Sequence, residues 1–67
     1  MYTMEKENGK YYIQHNGKRL YMFEKYNGTK KGWIKYVWHD LSESWINPNY
    51  YGWFSTVKQI KAYYNIK

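Results

Sequence analysis

His39 and Asp40 stand side by side, and a histidine beside a carboxylate is the natural first place to look for a general base. Adjacent residues on an extended strand project to opposite faces, so these two side chains diverge. Nucleophilic catalysis instead needs a base oriented beside its nucleophile. The other histidine, His15, falls beside Tyr2 in the register derived below and reads as structural. Two histidines without ligand spacing, in a chain with no cysteine, do not make a zinc site. Each of the five glycines sits singly or belongs to a turn signal, so no phosphate-cradling loop is present. The reading is a non-enzyme that uses no metal or other cofactor.

A second chemistry is written into the middle of the chain. Residues 18–35 carry Lys18, Arg19, Lys25, Lys30, Lys31 and Lys35 against the single acid Glu24, and so hold most of the net charge of +6. Lys10, Arg19, Lys25, Lys30, Lys31 and Lys35 interleave with Tyr12, Tyr21, Phe23 and Trp33. Aromatic platforms framed by cations suit single-stranded nucleic acid, through base stacking and phosphate neutralisation. A small sheet can alternatively enter a duplex major groove. The expected function is therefore that of a small basic nucleic-acid-binding accessory protein.

A reading from another class rests on "SWINPNYYGWF". Trp45, Tyr50, Tyr51 and Trp53 have the composition of interface anchors, as in an inhibitor or adaptor that binds a protein. An acidic protein surface would suit the basic chain in that case. Neither reading fixes whether the chain acts as a monomer or a small homo-oligomer.

These residues must be positioned by something, and the turns supply the frame. Asn-Gly occurs at 8–9, 16–17 and 27–28. Between alternating segments it is a strong hairpin signal, because a type I′ turn needs positive φ at both central residues. Two-residue turns at the first two sites pair Met4 with Ile13, His15 with Tyr2 and Lys18, Ile13 with Leu20, and Tyr11 with Met22. Paired residues share a face. One face then collects Tyr2, Met4, Tyr11, Ile13, Leu20 and Met22. The other collects Glu5, Tyr12, Gln14, Arg19, Tyr21, Phe23 and Lys25. A five-residue loop from Asn27 to Lys31 keeps Tyr36 and Trp38 on the first face and puts Trp33 and Lys35 on the second.

Further along, Asp40 and Glu43 suggest one helical turn carrying Leu41 and Trp45, stopped at Asn47-Pro48. In the last segment Thr56 and Gln59 form a capping box, and Val57, Ile60 and Tyr64 share one helical face. The expectation is a single α+β domain: a four-stranded antiparallel β-meander with one C-terminal α-helix packed on one face. Its strands run about 2–7, 10–15, 18–26 and 32–39, followed by an aromatic loop over 40–54 and a helix over about 57–65. One short helix covers one face of such a sheet, which leaves the basic-aromatic face exposed. With nine Ile, Leu and Val against sixteen aromatics, tyrosine and tryptophan must supply much of the core.

"GKR" at Gly17–Arg19 and "FSTVKQIKAYY" at Phe54–Tyr64 together resemble the arm-type DNA-binding domain of tyrosine recombinases. The tail is also similar to those of small phage and mobile-element proteins. The resemblance implies a sheet-plus-helix fold whose sheet, with Arg19 on its strand, contacts duplex DNA. No stretch approaches the roughly 18 apolar residues of a membrane span, and "MYTMEKENGK" lacks the apolar core of a secretory signal. A cytoplasmic protein without a membrane partner is expected.

Overall fold

Asn8 and Gly9 take φ of 52° and 77°, and Asn16 and Gly17 take 54° and 80°. Both Asn-Gly pairs therefore make the tight turns expected of them. The computed structural model describes residues 1–28, 31–47 and 53–66, with Asn27 described by its backbone alone. The chain runs β1 (Tyr2–Glu7), β2 (Lys10–His15), β3 (Lys18–Asn27), β4 (Lys31–His39), β5 (Ser44–Ile46), β6 (Trp53–Phe54) and α1 (Val57–Tyr63). All pairings are antiparallel, in the order β1-β2-β3-β4, and β5 and β6 each pair with β4. The fold is α+β, a meander with one short C-terminal helix. The helix is neither long nor apolar enough to cross a membrane.

The expected four strands are present, and the expected register holds in two of their three pairings. Between β1 and β2, Met4 faces Ile13 and Tyr2 faces His15. Between β3 and β4, Met22 faces Tyr36 and Lys25 faces Trp33. Those two strands extend one pair further than expected, to Asn27 and Lys31, so the connection shortens to residues 28–30.

The pairing of β2 with β3 departs from expectation. It begins as predicted, with His15 facing Lys18 and Gln14 facing Arg19, and then shifts at Ile13–Gln14 so that Ile13 faces Tyr21 and Tyr11 faces Phe23. Leu20 is the extra residue of a β-bulge, which reverses the faces of every later residue on β3. Ile13 therefore does not pair with Leu20, nor Tyr11 with Met22. Because β4 follows the register of β3, Trp33 and Lys35 change sides as well.

The core forms where the helix meets the side created by this reversal. Ile13, Phe23 and Ile60 are fully buried and Tyr64 nearly so, with Tyr2, Met4, Tyr11, Tyr21, Trp33, Phe54 and Ile66 packed around them. Phe23 and Tyr21, expected on the outer face, are thus part of the core region. Met22 is also buried, on the far side of the sheet. The helix begins as its sequence predicts: Thr56 Oγ1 accepts from the Gln59 backbone N–H at 3.2 Å. The Gln59 side chain accepts in turn from the Ser55 N–H at 2.9 Å. The helix ends at Tyr63, two residues earlier than expected, in a Schellman arrangement around Asn65 at φ 58°. There the Ile66 N–H reaches the Lys61 carbonyl at 2.8 Å and the Asn65 N–H the Ala62 carbonyl at 3.2 Å.

Residues 40–54 are not one loop, since β5 and β6 lie within them. Asp40 to Glu43 form a hairpin loop closed by the His39–Ser44 pair, with Glu43 at φ 50°, in place of the expected helical turn. Its Ser42 hydroxyl lies 2.8 Å from His39 Nδ1 and 2.7 Å from the Ser44 hydroxyl. Leu41 is almost fully exposed, and Trp45 is on a strand. Pro48 lies outside the described residues.

Candidate polyanion-binding face

The bulge divides the residues expected to form one binding face. Lys10, Tyr12 and Arg19 lie on the side away from the helix. Tyr21, Phe23, Lys25, Lys31, Trp33 and Lys35 lie on the helix side. Lys30 lies outside the described residues. A single exposed sheet face carrying all of these aromatics and cations therefore does not exist.

On the far side the cations are already matched. Arg19 forms ion pairs with Glu5 and, at 3.3 Å, with Glu7, while its guanidinium sits 4.0 Å over the Tyr12 ring. Hydrogen bonds that Arg19 donates to Glu7 and then to Glu5 raise its pKa, and the same donation lowers that of the Glu5 carboxyl. Lys10 pairs with Glu24 at 3.4 Å. The alternation of β1 to β3 was a usable signal for the Arg19–Glu5 pair, because it placed Glu5, Tyr12 and Arg19 on one face.

On the helix side most of the described lysines are unmatched. Met4, Tyr11 and Lys6 share that side, with the Lys6 ammonium 5.5 Å over the Tyr11 ring. Lys25 and Lys31 are exposed there, and Lys58 and Lys61 are exposed on the helix itself. Lys35 is half-buried, its ammonium 4.4 Å over Tyr21 and 5.6–5.8 Å from Tyr64 and Tyr63. Burial lowers its pKa. Among the described residues, none of these six lysines forms an ion pair with a side-chain carboxylate. Of the described carboxylates, Glu5, Glu7 and Glu24 face away, and Asp40 and Glu43 are in the β4–β5 loop, from which Asp40 pairs at 3.7 Å with Lys18, a helix-side residue opposite His15.

The aromatics of the helix side pack against one another. Tyr21 stacks on Tyr64 at 5.3 Å, Tyr2 meets Tyr64 edge-on at 5.4 Å, and Trp33 meets Tyr11 at 5.2 Å. Tyr21 and Trp33 are accordingly half-buried supports rather than free platforms. Burial raises the Tyr64 pKa strongly and that of Tyr21 less, so both phenols stay neutral. Tyr63, which the sequence reading passed over, keeps 67% of its surface exposed. Its signal was its place one residue off the apolar 57–60–64 stripe.

His15 sits where a structural histidine was expected, its ring 5.5 Å from Tyr2 and its Nδ1 3.2 Å from the Met1 carbonyl. Trp45 lies against Tyr12 at 5.8 Å and Trp38 at 5.2 Å, and Trp53 against Tyr26 at 5.2 Å. Both indoles are half-buried in intramolecular contacts. Tyr50 and Tyr51 lie outside the described residues. Among the described residues no cluster of His, Asp and Glu could hold a metal ion. Compared with protein-family models, curated proteins and solved structures, the chain matches none.

Proposed function

We propose that the chain is a small non-enzymatic nucleic-acid-binding protein whose binding surface is the helix side of the sheet together with the helix. One observation carries this reading: all six described lysines without a carboxylate partner lie on that side, while the described strand glutamates Glu5, Glu7 and Glu24 all face the other way. Unmatched cations on one face attract a polyanion and release its condensed counterions. The binding surface is therefore not the one expected from alternation, and Arg19 and Lys10 drop out as principal contacts. The resemblance of residues 17–19 and 54–64 to recombinase arm-type domains agrees with a nucleic-acid partner, and such a role belongs in the cytoplasm.

A salt series with labelled oligonucleotides tests it. Lys25→Gln, Lys31→Gln, Lys58→Gln and Lys61→Gln should each weaken binding similarly across sequences and lower the salt slope by about one. Lys10→Gln, whose charge Glu24 already offsets, should change the slope less. Absence of micromolar binding to either single or double strands near physiological salt would overturn the proposal. An acidic protein partner, sought by capture after nuclease treatment, would then be the reading to pursue.

A further inference from the structure

Beside the end of the helix, an open cleft of about 1200 Å³ runs between the start of β1 and the turn at Asn65 and Ile66. Tyr2, Tyr21 and Tyr64 line it, and Lys35 and the exposed Tyr63 complete its wall. It exceeds the roughly 300–1,000 Å³ of a typical small-ligand pocket and is not enclosed. That shape suits a segment of chain passing through better than a small molecule held on all sides.

Three observations indicate what would fit. Tyr63 offers a largely exposed ring, and its neighbour Tyr64 supports it edge-on at 4.9 Å. Lys35 has rings around its ammonium and, among the described residues, no carboxylate partner, so its charge is available to an incoming anion. The Tyr64 hydroxyl is buried at this site without a hydrogen-bond partner, in a residue only 8% exposed. Buried hydroxyls are ordinarily paired. At the negative end of the helix the Asn65 and Ile66 N–H groups cap the Ala62 and Lys61 carbonyls, which lessens its opposition to an anion.

We propose, resting on the nucleic-acid reading above, that this cleft takes one unpaired nucleotide of a single strand, with its base on Tyr63 and its phosphate on Lys35. Base stacking on an exposed aromatic is tolerant of sequence and requires a base whose face is free. A duplex base, stacked on its neighbours, cannot enter. The lysines elsewhere on this side hold the flanking phosphates of either form, and the cleft supplies the preference for a single strand.

The test compares a fluorescent twelve-nucleotide oligo-dT with a duplex of equal length at the same series of salt concentrations, using anisotropy. The 67-residue chain should prefer the single strand. Tyr63→Ala should lose roughly tenfold on it with an unchanged salt slope and duplex affinity, and Tyr63→Phe should keep the parent affinity. Thermal melting of each variant checks that the fold is retained, which the exposure of Tyr63 favours. Equal binding of both forms, with Tyr63→Ala altering neither, would overturn the cleft proposal and leave the lysine face standing. Binding of neither form would overturn both.

Discussion

On the helix side of the sheet Lys35 meets three tyrosine rings and, among the described residues, no carboxylate, whereas on the far side Arg19 meets one ring and two carboxylates. Both faces carry aromatics and cations, so composition alone does not separate them. They differ in where the acids fall. Strand alternation sends Glu5, Glu7 and Glu24 to the far side, where they neutralise Arg19 and Lys10, and leaves six described lysines on the helix side unmatched, with Asp40 reaching only Lys18 there. The same net charge, evenly mixed, would act as a solubility charge; segregated by face, it makes a surface with a sign.

The sharpest way to break this comparison is to test the bulge that creates it. Phe23→Ala should cost about 3–5 kcal/mol, enough to unfold a marginal domain, while the half-buried Leu20 should cost clearly less as Leu20→Ala. Urea titration reads both. The reverse order would mean that Leu20 faces the helix and that Lys35 lies on the other side.

A smaller effect is expected at Gly32, which is buried with Trp53 lying over it. A Cβ there would meet the indole ring and the Phe54 carbonyl. Gly32→Ala should therefore destabilise by about 1–3 kcal/mol, the cost of overpacking. A variant as stable as the parent would show that β6 does not close against β4.

Alkaline titration probes the helix side through its phenols. Burial raises the folded-state pKa of Tyr64 and Tyr21 above the unfolded value of about 10. Such a group binds its proton more tightly when folded, so its contribution is fully present below pH ~10 and is lost as pH rises beyond that. Absorbance at 295 nm should show these two phenols ionising after the exposed ones, together with unfolding. Their titration alongside the rest, in a folded chain, would contradict the packing around Lys35.

The smallest effect belongs to the far side. Arg19 holds the Glu5 carboxyl below its ordinary value, so the stabilisation is present above the unfolded pKa of about 4.3 and fades as pH falls through the lower folded value. The pair is exposed and screened by salt. Acid titration of Glu5→Gln against the parent, at low ionic strength, should show a slight difference that closes at low pH.

Much of this was legible because it is local. Asn8-Gly9 and Asn16-Gly17 dictate their turns through positive φ, Thr56 announces the helix start through its cap, and the 57–60–64 stripe places Ile60 and Tyr64 inside. The missed strands β5 and β6 are three and two residues long, too short to display a period of two. They exist because the edge of β4 offers unpaired backbone groups along its length.

The chain by itself determined its hairpins, its cap and its basic middle. What only the tertiary structure decided was which face of β3 and β4 meets the helix. Residues 20–23 are Leu, Tyr, Met and Phe, apolar at every position, so alternation there carries no preference for either side. The choice falls to packing: the bulge at Leu20 lets Phe23, fully buried, sit with Ile13 and Ile60 under the helix, while Met22 is buried on the opposite side. One inserted residue thereby carries Lys35 and Trp33 to the helix side and parts them from Arg19, because side chains on a strand change face at every step.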